Sequence, residues 1–156
     1  MADLPSPGSP VLRRGTLDDL DAIMELETST FGSDAWSRRT MRAELGSPHG
    51  YYLVAGEAAI AGYAGLLAPA GSGQADIQTI AVAPAARRHG LGRALMVALL
   101  DEARRREAAE VFLEVRADNP SAQQLYATLG FEQIAVRPKY YQPDGVDAHI
   151  MRLALS

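Results

Sequence analysis

Between Ile80 and Ala94 the chain reads I-A-V-A-P-A-A-R-R-H-G-L-G-R-A, an apolar strand that runs into an Arg- and Gly-rich turn and then a helix. Residues of these types in this order suit an anion, and a diphosphate in particular. Gly90 and Gly92 lack the Cβ atoms that would keep such a group off the backbone, and the amides from Arg88 to Arg93 can point at it. The positive end of the following helix dipole adds to the attraction. Two other phosphate loops are excluded by what is missing. Gly92 is followed by Arg93 and Ala94, not by the Lys-Ser/Thr pair that would hold a nucleotide's magnesium. A dinucleotide-binding loop would place a third glycine at Leu95 and an acidic residue about 20 residues later, after a second strand.

What remains is R-x-x-G-x-G, as Arg87-Arg88-His89-Gly90-Leu91-Gly92, directly after Ile80-Ala81-Val82. Further on come Leu113-Glu114-Val115-Arg116 with Asn119, then Leu125-Tyr126-x-x-Leu129-Gly130-Phe131, then Tyr140-Tyr141 and Asp147-Ala148. In order and spacing these segments resemble the GNAT N-acetyltransferases, and within them the RimI-like ribosomal-protein alanine N-acetyltransferases. The resemblance spans roughly residues 11 to 154.

The resemblance implies acetyl-CoA as cosubstrate and an amine as acceptor. It assigns backbone groups of Ile80, Ala81 and Val82 to the pantetheine arm and acetyl carbonyl, in a family where the fourth strand bulges and splays from the fifth. Arg88, His89, Gly90, Leu91, Gly92 and Arg93 fall to the pyrophosphate, and Asn119 and Tyr126 to the coenzyme. The side chains of Arg87, Arg88 and Arg93 stand equally as solvated cations, His89 is most simply a turn residue, and Asn119 already has a sufficient role as a helix N-cap.

Glu114 lies between Leu113 and Val115 in an otherwise apolar strand, where a carboxylate is costly to bury without a partner or a task. As a general base it would take the acceptor's ammonium proton, directly or through water. An N-terminal α-amine, with an ordinary pKa of about 7.7–8.0, needs only modest help. The structural alternative is an ion pair with Arg116 or another arginine. Tyr126, a phenol with an ordinary pKa of about 10, suits a general acid for the departing thiolate, or an aromatic packed between helix and sheet. Phe31 and Trp36 bracket a short loop that the resemblance makes one wall of the acceptor site; they serve equally to anchor that loop. Tyr140, Tyr141 and Asp147 match the subfamily's C-terminal pattern and are expected to shape the acceptor groove.

The elements that must position these groups follow from pattern. Val11–Arg14 reads as a strand, and Thr16 as the cap of a helix with Asp18 and Asp19 in its first turn. Leu20, Ile23, Met24 and Glu27 put an apolar stripe on that helix. A second helix runs from Ser37 to Leu45 and ends at Gly46. Tyr51–Ala55 and Ala59–Leu67 are expected strands about a Gly56-Glu57 turn, and Ala75–Val82 follows the Gly71-Ser72-Gly73 turn. A third helix continues to about Glu107, with Leu91, Leu95, Ala98 and Leu99 on one face. Arg104-Arg105-Arg106 at its end suits the negative end of the dipole better than a nucleic-acid patch. Val111–Val115 reads as a central strand apolar on both faces. Asn119-Pro120 opens a fourth helix that Gly130 closes, and Phe131–Arg137 and His149–Leu153 are the last strands. The order β-α-α-β-β-β-α-β-α-β-β is a mixed α/β sheet of about seven strands with about four helices, as the GNAT resemblance requires.

The 156 residues suffice for one domain, expected over 11–156 behind a disordered leader at 1–10 that carries three prolines. A net charge of −4 argues against a nucleic-acid binder and is compatible with a basic peptide partner. The absence of cysteine excludes disulfides and an acyl-cysteine route. His49, His89 and His149 do not have metal-ligand spacing, so no metal is expected. With no spanning apolar run and no signal-peptide pattern, the expected compartment is the cytoplasm, away from membranes. The leading function is acetylation of a protein's N-terminal α-amine, plausibly that of a ribosomal protein. A lysine side chain or a small-molecule amine is the rival acceptor, and a non-catalytic acyl-CoA-binding module the rival class. Oligomeric state stays open.

Overall fold

A computed structural model describes residues 11–56 and 59–155. The expected leader at 1–10 and Glu57 of the expected turn lie outside the described residues. Seven strands form one sheet in the order β1-β2-β3-β4-β5-β7-β6. They are β1 (Leu12–Arg14), β2 (Gly50–Ala55), β3 (Gly62–Leu67), β4 (Gln74–Val82), β5 (Glu110–Arg116), β6 (Glu132–Tyr141) and β7 (Val146–Ala154). The four α-helices are α1 (Leu20–Phe31), α2 (Arg38–Leu45), α3 (Leu91–Arg105) and α4 (Pro120–Thr128). All neighbouring strands are antiparallel except β4 and β5.

The caps fall where the sequence places them. Thr16 and Asp19 form a reciprocal capping box around a 3-10 turn, Leu17–Asp19, that precedes α1. Ser37 Oγ accepts from Thr40 N–H at 3.1 Å to start α2, and Asn119 Oδ1 accepts from Ala122 N–H at 3.2 Å to start α4. The expected boundaries shift elsewhere. β3 begins at Gly62 rather than Ala59, α3 stops at Arg105, and β6 and β7 are longer than their apolar runs. Those two strands pair with each other beyond the reach of the core, so backbone hydrogen bonding rather than hydrophobic alternation sets their ends.

Two apolar clusters cover the two faces of the sheet. On one face Leu95, Met96 and Leu99 of α3 are fully buried against Leu66, Val111 and Leu113. On the other, Ile23 of α1 and Met41 of α2 are fully buried with Val54 and Tyr63. Each such side chain contributes about 1.5–3 kcal/mol. The stripe expected on α1 needs two corrections. Met24 is only half-buried, and Glu27 is a carboxylate buried to 1% exposure and satisfied by polar partners.

β5 also departs from expectation. Val111, Leu113 and Val115 face α3, while Phe112, Glu114 and Arg116 point to the opposite face and are not fully buried. The strand is therefore apolar on one face only, by the two-residue alternation of any strand. Glu114's side chain retains 33% exposure, so the cost of burying a carboxylate does not explain its presence.

Candidate active site

Two irregularities in the sheet create the site. Opposite β3, the register of β4 slips between Thr79, which pairs with Gly65, and Ile77, which pairs with Leu66, leaving Gln78 as a bulge. The slip reverses which face each side chain takes. Ala75, Ile77, Ile80 and Val82 pack toward α3, whereas Asp76 and Gln78 look into a cavity and Thr79 and Ala81 toward α1. At the bulge Gly65 is required by contact: a Cβ there would lie 2.2 Å from the Tyr52 ring.

The second irregularity is a fork. The parallel ladder between β4 and β5 ends at Asp76↔Phe112, while β5 goes on pairing with β7 as far as Arg116↔Ala148. Ile80, Ala81 and Val82 keep their β3 partners but have no rung to β5. That edge of β4 is thus presented to the gap between the strands, as the expected coenzyme-binding arrangement needs.

At the mouth of the gap on the α3 side, Arg88 has φ 67° and Gly90 φ 81°. Left-handed residues this close together curl successive amides into a concavity suited to an anion. Gly90 is the residue before α3, no side chain caps the helix, and a Cβ built on it meets nothing within 4 Å. A Cβ on Gly92 makes only ordinary contacts, 3.5 Å from Leu125 and 3.9 Å from Val82. An uncapped helix start with open space over Gly90 fits a diphosphate. Leu91 is buried as the first core residue of α3, whereas Arg87, Arg88, His89 and Arg93 are exposed. Arg87 Nε donates to Val82 O at 2.9 Å and Arg93 Nη2 to Thr128 Oγ1 at 2.5 Å, so both side chains fold back onto the protein. Arg104 and Arg105 pair with Asp101 and Glu102, while Arg106 pairs with Glu102 and donates to the carbonyls of His49, Gly50 and Ala68.

On the opposite face of the sheet a cavity of about 720 Å³ contains Glu114, with Trp36, Tyr140 and Tyr141 around it. Glu114 pairs with Arg137, at 3.7 Å, and not with its neighbour Arg116. Tyr140's phenol is held above its ordinary pKa, first by hydrogen bonding to Glu114 and then by burial. Burial, followed by the charge of Glu114, pushes Tyr141 up to about 12. Of the four expected acceptor residues, Phe31 is the exception: it ends α1 and packs on the core of that helix, outside the cavity lining.

Tyr126 lies on the other side of the sheet. Its ring is buried to 7% exposure, edge-on to Phe131 at 6.1 Å, and burial alone pushes its phenol up to about 12. Glu114 and Tyr126 thus lie on opposite faces of the sheet.

Several contributors had been missed. Asp76 faces the cavity, and burial, then the charge of Glu114, raises its pKa. The alternation of Gln74, Asp76 and Gln78 with Ala75 and Ile77 was a readable sign. Arg137 and Asp34 gave no sign, since their partners are distant in sequence. Glu27 accepts from Trp36 N–H at 3.0 Å, from Thr79 Oγ1–H at 3.0 Å and from Tyr63 O–H. It therefore ties the Trp36 loop to the bulged strand. Asp147 does the same for the tyrosines: its Oδ1 accepts from Lys139 N–H at 2.9 Å, holding a bulge where Arg137 and Tyr141 pair with Ala148 and Val146. Among the described residues no group of three or more His, Cys, Asp or Glu side chains could hold a metal, and no helix is long and apolar enough to cross a membrane.

Comparison with known proteins agrees with this geometry. The acetyltransferase (GNAT) family profile matches residues 20–131. The N-alpha-acetyltransferase RimI of Mycobacterium tuberculosis is 39% identical over 141 residues, 88% of this chain and 87% of that protein. The [ribosomal protein bS18]-alanine N-acetyltransferase of Escherichia coli is 37% identical over 140 residues, 88% of this chain and 93% of that one. The crystal structure of the ribosomal-protein-S18-alanine N-acetyltransferase from Escherichia coli superimposes with a TM-score of 0.84 at 32% identity, covering 95% of each chain. By these matches the chain belongs to the GNAT family and is an acetyl-CoA-dependent N-acetyltransferase of RimI type.

Proposed function

We propose that this enzyme acetylates the N-terminal α-amino group of a protein, with a ribosomal protein beginning in alanine as the acceptor. The observation that supports the reading best is a part-exposed Glu114 in the cavity on one face of the sheet and a buried Tyr126 on the other, with the β4 edge between them free of β5 rungs. The names of the relatives, which include alanine N-acetyltransferases of a ribosomal protein, support the choice of acceptor. With such an acceptor the reaction belongs in the cytoplasm.

The coenzyme would be held by the backbone of Ile80, Ala81 and Val82 along the open edge of β4. The amides from Arg88 through His89, Gly90, Leu91 and Gly92 to Arg93 would take the pyrophosphate, where the α3 dipole favours negative charge. Asn119 and Tyr126 flank it from α4. Bound acetyl-CoA supplies the acetyl thioester.

On the acceptor side, Trp36, Tyr140 and Tyr141 form an aromatic vestibule that excludes water around the incoming amine. The Glu114 carboxylate accepts the ammonium proton, giving up its loose contact with Arg137 as the acceptor enters. As the neutral amine forms the N–C bond and the thioester C–S bond breaks, Tyr126 Oη would give its proton to the departing thiolate. The surplus proton on the amide nitrogen would restore the phenol through solvent. With its pKa near 12 the phenol stays protonated at neutral pH, as a general acid must. Phe31 supports the acceptor loop from the core, and Arg87 orients the cradle through Val82 O.

The test is incubation with acetyl-CoA and peptides that differ in their first residue and carry an internal lysine. Thiol release is measured, and the acetylated nitrogen located by mass spectrometry. Acetylation of the α-amine, strongest with alanine first, is expected. Acetylation confined to the lysine overturns the reading.

A further inference from the structure

Arg116 ends β5, and its side chain, 23% exposed, lies where the two walls of the acceptor cavity meet. Nη1 donates to Asp34 at 2.5 Å, in the turn two residues before Trp36. Nη2 donates to Asp144 at 2.6 Å, in the connection from β6 to β7. Nε and Nη2 also donate to Asp118 at 3.0 and 3.1 Å, in the turn that follows β5 itself. The guanidinium carbon sits 5.0 Å from the Tyr141 ring centroid. We infer that Arg116 is a positioning residue that holds the Trp36 wall and the Tyr141 wall at a fixed separation, and so confines the acceptor's first side chain to a small one.

Only a guanidinium can do this. Its planar fork offers five N–H donors in fixed directions, so one side chain makes four hydrogen bonds to three carboxylates, whereas an ammonium has three donors at a single point. Asp34 is itself shielded, at 15% exposure, which makes its charge-assisted bond stronger than an ordinary surface pair. Each wall has a second tether: the buried Glu27 holds Trp36 N–H, and Asp147 holds Lys139 N–H at the surface. Releasing Arg116 should therefore loosen the rim of the cavity without unfolding either wall.

The three carboxylates separate this role from a general contribution to stability. Asp34 and Asp144 belong to opposite walls, while Asp118 is local to Arg116 and binds neither. Asp118 nevertheless receives two of the four hydrogen bonds. If Arg116 merely stabilised the fold, losing Asp118 would matter as much as losing the others.

Trp36 is the single tryptophan of the chain, so its fluorescence reports the first wall directly. The experiment compares Asp34→Asn, Asp144→Asn, Asp118→Asn and Arg116→Lys with wild type. It measures acrylamide quenching of Trp36, kcat/KM for two peptides beginning with alanine or leucine, and KM for acetyl-CoA. Asp34→Asn, Asp144→Asn and Arg116→Lys should each increase quenching and cut the preference for alanine over leucine by roughly tenfold. KM for acetyl-CoA should not move, and Asp118→Asn should match wild type in all three. Equal disturbance by Asp118→Asn, or unchanged quenching and preference in the other three, overturns the inference. The selectivity arm rests on the proposed N-terminal acceptor and the quenching arm does not. A wild-type enzyme that acetylates only lysine defeats that reading, while quenching still judges the clamp.

Discussion

Arg137 on β6 reaches across β7 to Glu114 on β5, its Nη1 3.7 Å from the carboxylate Oε1. Arg137 is 59% exposed, so the pair is loose and held mainly in water, where such contacts contribute about 0–1 kcal/mol. In the proposed reaction an acceptor ammonium would replace the guanidinium at little cost.

Glu114→Gln should keep the side chain's shape and lose its proton acceptor. Activity on a peptide N-terminus should fall by roughly 10²-fold near pH 7. The deficit should shrink above about pH 8–9, where an α-amine with an ordinary pKa of about 7.7–8.0 is already neutral. A lysine acceptor, near 10.4, would show little such recovery. The measurement is a pH–rate profile of both proteins, and equal rates at pH 7 would remove Glu114 as the base.

Tyr126→Phe deletes the proposed donor and keeps the ring that packs on Phe131. Turnover should drop by roughly 10²–10⁴-fold while acetyl-CoA affinity and Tm change little. Because burial raises the phenol to about 12, its acidic form persists until pH approaches that value. Wild-type turnover should accordingly show no loss from Tyr126 ionisation between pH 8 and 10. A variant as active as wild type would leave Tyr126 a packing residue.

Gly90→Val places a β-branched residue at φ 81°, a conformation it resists, and so mixes strain with steric blockage. Gly90→Asn is the cleaner probe, since asparagine tolerates that region and its Cβ meets no protein atom. Calorimetric titration should show acetyl-CoA affinity falling by at least about tenfold, with Tm close to wild type. Undiminished affinity would take the pyrophosphate away from this turn.

Glu27→Leu removes the acceptor shared by two buried hydroxyls, Thr79 Oγ1–H and Tyr63 O–H, and the part-buried Trp36 N–H. Unfolding free energy should fall by on the order of 2–4 kcal/mol. Chemical denaturation measures it. A change within experimental error would mean that water replaces the carboxylate, and that Glu27 does not anchor the Trp36 loop.

Local chemistry alone determined much of this protein. Thr16, Ser37 and Asn119 announce their helices because a cap is a contact within three residues, and Gly90 announces its turn because few residues tolerate its backbone angles. The glycine turn before α3, the helix order and the strand count were therefore legible. Tertiary structure decided the rest. Alternation along β5 turned Glu114 toward a cavity where a run of apolar neighbours suggested burial, and pairing two strands away gave it Arg137 in place of Arg116. Phe31 and Trp36 both pack on the α1 core, but only Trp36 also reaches the cavity, its N–H held by Glu27 beneath α1. Asp34, Asp118 and Asp144 meet on one guanidinium although the outer two are 110 positions apart in the chain. No local rule links such residues, because their contact depends on how the strands are ordered and where the fork opens.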